Sequence, residues 1–135
     1  MPCLDTCVIL DILRGVPSLT GRATAKIDDL RRRGRRLSVS RFTWAELYVG
    51  VCRSRDPAAE EAAILALLDP LTILEFDDKS ARFFGSLTAQ LYRTGRPIAD
   101  IDILIAATAL AAGELVVTRD VEHFSRIPGL VVETY

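Results

Sequence analysis

Short, mostly apolar runs alternate with helical patterns along nearly the whole chain. The runs are "PCL", "RLSVS", "LTILEF", "ELVVT" and "LVVET", and most of them read as continuous apolar stretches without polar residues at every second position. Strands that are apolar on both faces are typical of a parallel sheet with helices packed on both sides. The sequence therefore predicts an α/β fold with a mostly parallel central sheet of four or five strands.

The segments between these runs carry apolar residues at helical spacing, and several have recognisable ends. Gly15, Gly34 and Gly95 stand where helices are expected to stop, and Asp56 followed by Pro57 is typical of a helix start. The segment "DIDILIAATALAAG" is apolar nearly all round, which predicts a helix in the protein interior. Helices placed between strands supply the crossover connections that parallel strands need.

Length and composition favour a single domain that spans residues 1–135. Half of the 135 residues are apolar, which is enough for one core without disulfides or structural metals. No apolar run approaches the ~20 residues of a membrane span, and no leader pattern precedes the first predicted strand. We therefore expect a soluble, cytoplasmic protein with no membrane partner.

The cysteines and charges exclude some kinds of site and leave others open. Cys3, Cys7 and Cys52 form no C-x-x-C pair and His123 is the only histidine, so a zinc site of the usual Cys/His type lacks ligands. The net charge of −1 argues against bulk binding to nucleic acid. The run "RRRGRR" at 31–36 fits either phosphate contact or a solvated helix end. His123 is expected to be a surface or packing residue.

Acidic residues lie at or just beyond the predicted strand ends. Asp5 ends the first strand, Glu46 is placed in the first turn of the helix after "RLSVS", and Asp120 follows "ELVVT". Asp102 lies in the first turn of the apolar helix. Because ligands of parallel α/β sheets bind at the carboxyl ends of the strands, we expect these four carboxylates to converge on one edge.

Most of these acids also have an explanation that needs no ligand. Thr43 and Glu46 fit a capping box, Asp102 fits a first-turn acid favoured by the helix dipole, and Asp120 fits a turn residue. Asp5 alone has no evident structural role among apolar neighbours. Carboxylates that lie together are stabilised by a hard divalent cation such as Mg²⁺, which keeps bound water and assists attack on phosphate esters. Together the four acids indicate a metal site that acts on a phosphate or phosphodiester.

Four segments give the chain a family resemblance. "LDTCVILDIL", "FTWAELYVGV", "IADIDILIAATAL" and "LVVTRDVEHF" occur in the order and spacing of the PIN-domain nucleases. Over essentially its whole length the chain resembles the VapC-type toxin ribonucleases of that family. The resemblance implies a metal-dependent endoribonuclease, the toxin of a type II toxin–antitoxin pair, which hydrolyses RNA with a metal-activated water. It also implies a homodimer and a cognate antitoxin protein as partner.

The resemblance also implies roles for individual residues. Asp5, Glu46 and Asp102 match the acidic triad that holds Mg²⁺ or Mn²⁺ in this family, and Asp120 matches a fourth, more variable acid. Two small hydroxyl residues beside the first and last acids match supporting positions of the family, namely Thr6 and Thr118. Asp100 is close in sequence to the triad but lies outside the pattern, and Cys7 stands where Ser or Asn is common.

Two other functions stay open on the residues alone. A magnesium-dependent phosphotransfer or receiver-type domain also places an Asp at a strand end, although the start D-x-D-G-T is missing and only Lys26 and Lys79 are available as the lysine of such a site. A non-catalytic protein-binding module would keep only the fold, and the retained acids argue against it. Neither G-x-G-x-x-G nor a P-loop occurs, which disfavours enzymes with a nucleotide cofactor.

Overall fold

The computed structural model describes residues 1–135, in which five parallel strands form one sheet and seven helices pack around it. The strands are β1 (Cys3–Leu4), β2 (Ser38–Ser40), β3 (Thr72–Leu74), β4 (Val116–Val117) and β5 (Val132–Glu133). The helices are α1 (Thr6–Leu13), α2 (Pro17–Arg32), α3 (Arg41–Arg53), α4 (Pro57–Leu68), α5 (Asp78–Arg93), α6 (Asp100–Ala111) and α7 (Val121–Phe124). The strand order is β3-β2-β1-β4-β5, and every neighbouring pair is parallel. The predicted α/β class and parallel sheet are confirmed, with strands shorter than the apolar runs that predicted them.

The two central strands each contribute to two separate cores. Cys3 of β1 packs with α5, α6 and α7, whereas Leu4 packs with α1 to α4 on the other face. Val116 and Val117 of β4 divide between the two cores in the same way. All four side chains are fully buried, because successive strand residues point to opposite faces and both faces are covered. This arrangement explains why the runs lack polar alternation.

Helix α6 is buried on nearly all sides, as its sequence predicts. The buried residues include Ile103, Ile105 and the stretch 106–109. The Thr108 hydroxyl donates to the Leu104 carbonyl oxygen at 2.7 Å, so this polar group in the core has a partner. No helix of the protein combines the length and apolar character that crossing a bilayer requires.

The helix ends agree with the sequence signals in most places. The Asp56 carboxylate accepts a hydrogen bond from the Ala59 N–H at 3.2 Å, and Pro57 is the first residue of α4. Gly34 and Gly95 follow α2 and α5 with φ angles of 72° and 67°, which are left-handed values that glycine adopts without strain.

The start of α3 differs from the prediction. The helix begins at Arg41, and the Ser40 hydroxyl accepts a hydrogen bond from the Thr43 N–H at 3.0 Å. Ser40 also ends β2, so its extended backbone and short hydroxyl side chain suit the N-cap and leave no turn between strand and helix. Glu46 therefore lies in the second turn, and the expected capping box of Thr43 and Glu46 is wrong.

The arginine run at 31–36 lies at the end of α2 and leads to the amino end of β2. Arg33 forms an ion pair with Asp29 at 2.7 Å, and Arg35 lies 3.5 Å from Glu114. Of the two explanations that the sequence leaves open, this placement favours a solvated helix end. The edge of the sheet where ligands are expected is the opposite one.

A buried hydrogen-bond network connects α1 to the loop after β4. Asp11 is 2% exposed, and its carboxylate accepts hydrogen bonds from Arg119 Nε at 2.9 Å and Arg119 Nη2 at 3.1 Å. The Tyr135 hydroxyl donates to the same carboxylate at 2.7 Å. Arg119 stands between Thr118 and Asp120, so the network fixes the loop that carries both residues above α1.

We expect Asp11→Asn to lower the free energy of unfolding by about 2 kcal/mol, because it removes the charge that Arg119 and Tyr135 bind while the half-exposed Arg119 side chain can regain water. Urea denaturation measures the change. The matched control is Asp28→Asn on α2, since Asp28 is exposed and forms no ion pair. Equal stability of the two variants would contradict a structural role for the network.

Candidate metal centre

Asp5 directly follows the middle strand of the sheet. Its N–H donates to the Val117 carbonyl oxygen of β4 at 2.9 Å, and its side chain is 6% exposed. One carboxylate oxygen accepts from the Thr6 N–H at 2.7 Å and the other from the Thr118 hydroxyl at 2.7 Å. The expectation that Asp5 has no structural role is wrong, because β1 runs straight into α1 and makes Asp5 the N-cap of that helix.

Thr6 connects the first acid to the second. Its hydroxyl donates a hydrogen bond to the carboxylate of Glu46, which comes from the second turn of α3 and is half-buried. Forty residues separate the two partners in the chain. The contact is possible because β1 and β2 are adjacent and parallel, so the helices that follow them start on the same edge.

Asp102, Asp120 and His123 form a second part of the same site. One ligand atom from each lies within 4.8 Å of those of the other two. Asp120 caps α7, and its carboxylate is 2.6 Å from Nδ1 of His123. His123 lies at the surface, as expected. Its position beside Asp102 and Asp120 was not predicted. The signal was the spacing D-x-x-H, which places both side chains on one side of a helical turn.

The charges of the four acids act on one another. Burial raises the pKa of Asp102 to about 6, and the charges of Asp5, Glu46 and Asp120 contribute to the rise. Burial also raises the pKa of Asp5, although the hydrogen bonds from Thr118, Cys7 and Thr6 oppose that change. Burial raises the pKa of Glu46, a hydrogen bond from Thr6 lowers it, and the Asp5 charge raises it. Thr118 links the two parts of the site, because its hydroxyl donates to Asp5 and accepts from the Asp120 N–H at 2.9 Å. The four carboxylates therefore lie at one edge of the sheet, and Asp102 and Asp120, with His123, are the ones whose ligand atoms lie within 4.8 Å of one another.

The pKa of His123 reports on the surroundings of this edge. The hydrogen bond with Asp120 raises that pKa, and the positive charge of Arg126 opposes the rise. The Arg126 N–H donates to the His123 carbonyl oxygen at 3.2 Å, so Arg126 directly follows the cluster along the chain. Asp100 is exposed at the start of α6 and makes no side-chain hydrogen bond within the group.

The donor atoms of the site fit a hard divalent cation. They are carboxylate oxygens with one imidazole, and such oxygen-rich sets suit Mg²⁺ or Mn²⁺. Cys7 Sγ lies 3.2 Å from an Asp5 oxygen, but burial and the Asp5 charge raise the pKa of the thiol. The sulfur is therefore a hydrogen-bond donor to Asp5, and the site lacks the thiolate that a softer metal would favour.

Comparison with known proteins identifies the family of the chain. A family model described as the PIN domain matches residues 3–130. Ribonuclease VapC2 of Haemophilus influenzae is 31% identical over 132 residues, which covers 98% of this chain and 96% of that protein. The tRNA(fMet)-specific endonuclease VapC of Salmonella typhimurium is 33% identical over 100 residues, with 74% of this chain and 76% of that protein covered.

A solved structure has a similar backbone fold. In the crystal structure of VapBC2 from Rickettsia felis bound to a DNA fragment from their promoter, one chain superposes with a TM-score of 0.89 at 26% identity. The superposition covers 98% of this chain and 97% of that one. Both the family model and the relatives cover most of the sequence, and the chain belongs to the PIN-domain family.

Proposed function

We propose that this chain is a divalent-metal-dependent endoribonuclease that acts as the toxin of a toxin–antitoxin pair, with residues 1–135 forming one PIN domain. The observation that carries the proposal is the arrangement of four acids at the carboxyl edge of the sheet: Thr6 connects Asp5 to Glu46, Thr118 connects Asp5 to Asp120, and Asp120 lies beside Asp102. The relatives named ribonuclease and endonuclease support RNA as the substrate. The likeness to VapBC2 supports a cognate antitoxin as the partner. The family resemblance supports a homodimer in the cytoplasm.

The acids and their hydrogen-bond partners have separate parts in the proposed reaction. Asp5, Glu46 and Asp102 would hold Mg²⁺ or Mn²⁺, with assistance from Asp120. A bound ion would supply an activated water for attack on the scissile phosphate and would neutralise the charge that develops there.

The supporting residues keep the carboxylates in fixed orientations. Thr6 donates to both Asp5, through its N–H, and Glu46, through its hydroxyl. Thr118 and Cys7 donate to the second oxygen of Asp5, whereas the first oxygen has only the Thr6 N–H as donor and keeps a lone pair for a cation. His123 orients the Asp120 carboxylate through a hydrogen bond at its Nδ1. The ligands are thus oriented before the substrate arrives.

A receiver-type phosphotransfer domain is a weaker explanation of the same acids. Such a domain needs a lysine at the site, and Lys26 instead binds Glu133 at 2.6 Å. Lys79, the other lysine, is exposed in the first turn of α5. Neither lysine contacts Asp5, so the nuclease is the better account of the site.

We expect Asp5→Asn to reduce RNA cleavage by about 100-fold or more, because the centre loses its most buried charged ligand. Pure protein is incubated with total RNA and Mg²⁺, and the fragments are resolved by electrophoresis. Asp100→Asn is the control, since it removes an exposed acid that lies outside the cluster.

Circular dichroism checks that both variants are folded. Undiminished cleavage by folded Asp5→Asn would exclude the proposed role of Asp5. A stable acyl-phosphate on Asp5 of the unaltered protein would instead favour phosphotransfer.

Mg²⁺ or Mn²⁺ should stabilise the folded protein, because the ion binds a cluster of acids that the unfolded chain does not assemble. At a free-ion concentration of 100 Kd the gain is about 2.7 kcal/mol, which thermal unfolding detects as a raised Tm. The shift should shrink in Asp102→Asn and persist in Asp100→Asn. Equal shifts in the two variants would argue against an ion at this centre.

The metal-free protein should lose stability as the pH rises from about 4 to about 6. Burial and neighbouring charges raise the pKa of Asp102 from 3.8 to about 6 on folding, so the folded state binds the proton more tightly than the unfolded state. Below pH 3.8 the group is protonated in both states, and the penalty develops as the pH rises through the folded pKa of about 6.

Because Asp102 is only half-buried, we expect a loss on the order of 1 kcal/mol. Urea denaturation in the presence of a chelator, at about pH 4 and about pH 7, measures it. Asp102→Asn should remove this part of the pH dependence. A variant with the same pH dependence as the unaltered protein would show that Asp102 is not the responsible group.

A further inference from the structure

A cleft of about 500 Å³ lies between the α5–α6 connection and the segment that follows α7. Three of the residues that line it are arginines and none is acidic. The arginines are Arg93, Arg96 and Arg126, which together define the arginine cleft. Gln90 and Thr94 add uncharged polar groups to its wall.

The three arginines have no acidic partner in the protein. No carboxylate lies within 4.0 Å of their guanidinium nitrogens. Nε of Arg126 is buried and has no hydrogen-bond acceptor, while its Nη1 donates to the Arg96 carbonyl oxygen at 3.4 Å. A buried donor of a charged group that lacks an acceptor is unfavourable, and an anion in the cleft would supply acceptors.

Other arginines around the acidic centre are already occupied. Arg119 binds Asp11 through two nitrogens, and Arg41 pairs with Glu75. Neither is free to bind an external anion without losing its partner. The arginine cleft differs from both, because its positive charges are not neutralised within the chain.

The arginine cleft lies beside the acidic centre along the chain and in space. Arg96 precedes α6, which carries Asp102 in its first turn, and Arg126 follows α7, which carries His123. The hydrogen bond from Arg126 to the Arg96 carbonyl joins these two segments. Leu91 lines both the cleft and a smaller pocket whose wall includes Asp100 and Ile103 of α6, the helix that carries Asp102. A polymer bound at the acids can therefore continue into the cleft.

The acidic centre itself gives a substrate phosphate little attraction. Four carboxylates repel a phosphodiester, and a divalent ion compensates for only part of their charge. Affinity for an RNA strand must therefore come largely from cationic groups beside the centre. Arginine suits this task because its planar guanidinium binds phosphate oxygens through two parallel hydrogen bonds.

We propose that the arginine cleft is a phosphate subsite, which binds the backbone of the RNA strand on one side of the scissile bond. The inference rests on the proposed function and deepens it, since it assigns where the substrate leaves the acidic centre. Phosphate is preferred to the carboxylates of an acidic protein because the cleft adjoins the acids where the phosphodiester must lie.

The test compares two double variants that remove the same charge. Arg93→Ala/Arg96→Ala alters two exposed arginines of the cleft, and Arg32→Ala/Arg36→Ala alters two exposed arginines at the opposite edge. Binding is measured in the Asp5→Asn background, so that the RNA stays intact. Fluorescence anisotropy uses a labelled single-stranded RNA of mixed sequence, about 16 nucleotides long, over a range of salt concentrations.

We expect the cleft variant to bind the RNA about tenfold more weakly, since two charge-assisted contacts are lost. The slope of log Kobs against log salt concentration should fall in magnitude by about 1.4, because two fewer counterions are displaced from a single strand at ~0.7 each. The control variant should keep the affinity and the slope. In the cleavage-competent protein, the cleft variant should raise KM for total RNA more than it lowers kcat.

A further variant tests Arg126, the arginine whose Nε is buried. Arg126→Lys keeps the charge but loses the paired hydrogen bonds, and it should weaken RNA binding with a smaller change in salt slope. Its thermal unfolding is measured in parallel. If Arg126→Lys does not fold, the exposed pair Arg93 and Arg96 decides the question alone.

The outcomes separate the two proposals. If the unaltered protein neither binds nor cleaves RNA, the proposed function fails. If it cleaves RNA and the cleft variant matches the control in affinity, slope and KM, only the subsite is overturned. Labelled polyglutamate is the remaining probe, and a cleft variant that loses polyglutamate binding while it keeps RNA binding would assign the cleft to an acidic protein segment.

Discussion

The site depends on the parallel pairing of β1 with its two neighbours, β2 and β4. Because β2 and β4 both run in the same direction as β1, Ser40, Asp5 and Thr118 emerge side by side at one edge. The hydrogen bond from the Asp5 N–H to the Val117 carbonyl oxygen extends this pairing one residue beyond the strand. Each side chain of the centre is placed by a helix or loop that starts from this edge, so strand register fixes the relative positions of the ligands.

This arrangement concentrates negative charge in a partly dry environment, which opposes folding of the metal-free protein. The raised pKa values of Asp5, Glu46 and Asp102 share burial as their largest cause, and repulsion adds to it. Hydrogen bonds from Thr6 and Thr118 offset part of this cost, because each hydroxyl donates to the ionised form of a carboxylate. The partly buried pairing of Asp11 with Arg119 stabilises the loop next to Asp120. Repulsion among the carboxylates destabilises the ion-free protein. A bound cation relieves that repulsion, so the same charges favour the ion-bound state.

Much of the fold followed from periodicity, since apolar runs and helical stripes report directly which faces are buried. The acids were found because strand ends in a parallel sheet share an edge. The choice between neighbouring residues that could cap the same helix was harder to predict. Ser40 and Thr43 both offer a hydroxyl to cap α3, and only the end of β2 decides in favour of Ser40. Contacts between distant residues were out of reach, as for Asp11 and Arg119, which are 108 positions apart. His123 was also misjudged in importance, because its proximity to Asp102 depends on the docking of α7 against α6.

The distribution of arginine shows why overall charge is a poor guide to a nucleic-acid site in this protein. A net charge of −1 gives no long-range attraction to RNA, and the densest arginine run lies at the wrong edge, partly neutralised by Asp29 and Glu114. Arg93, Arg96 and Arg126 are scattered in sequence, yet the fold brings them together beside the acids. Local unpaired charge determines where a polyanion can bind, because ion pairs elsewhere cancel and salt screens beyond about 10 Å. Repulsion at the centre and attraction at its border together would align an RNA strand across the carboxyl edge of the sheet.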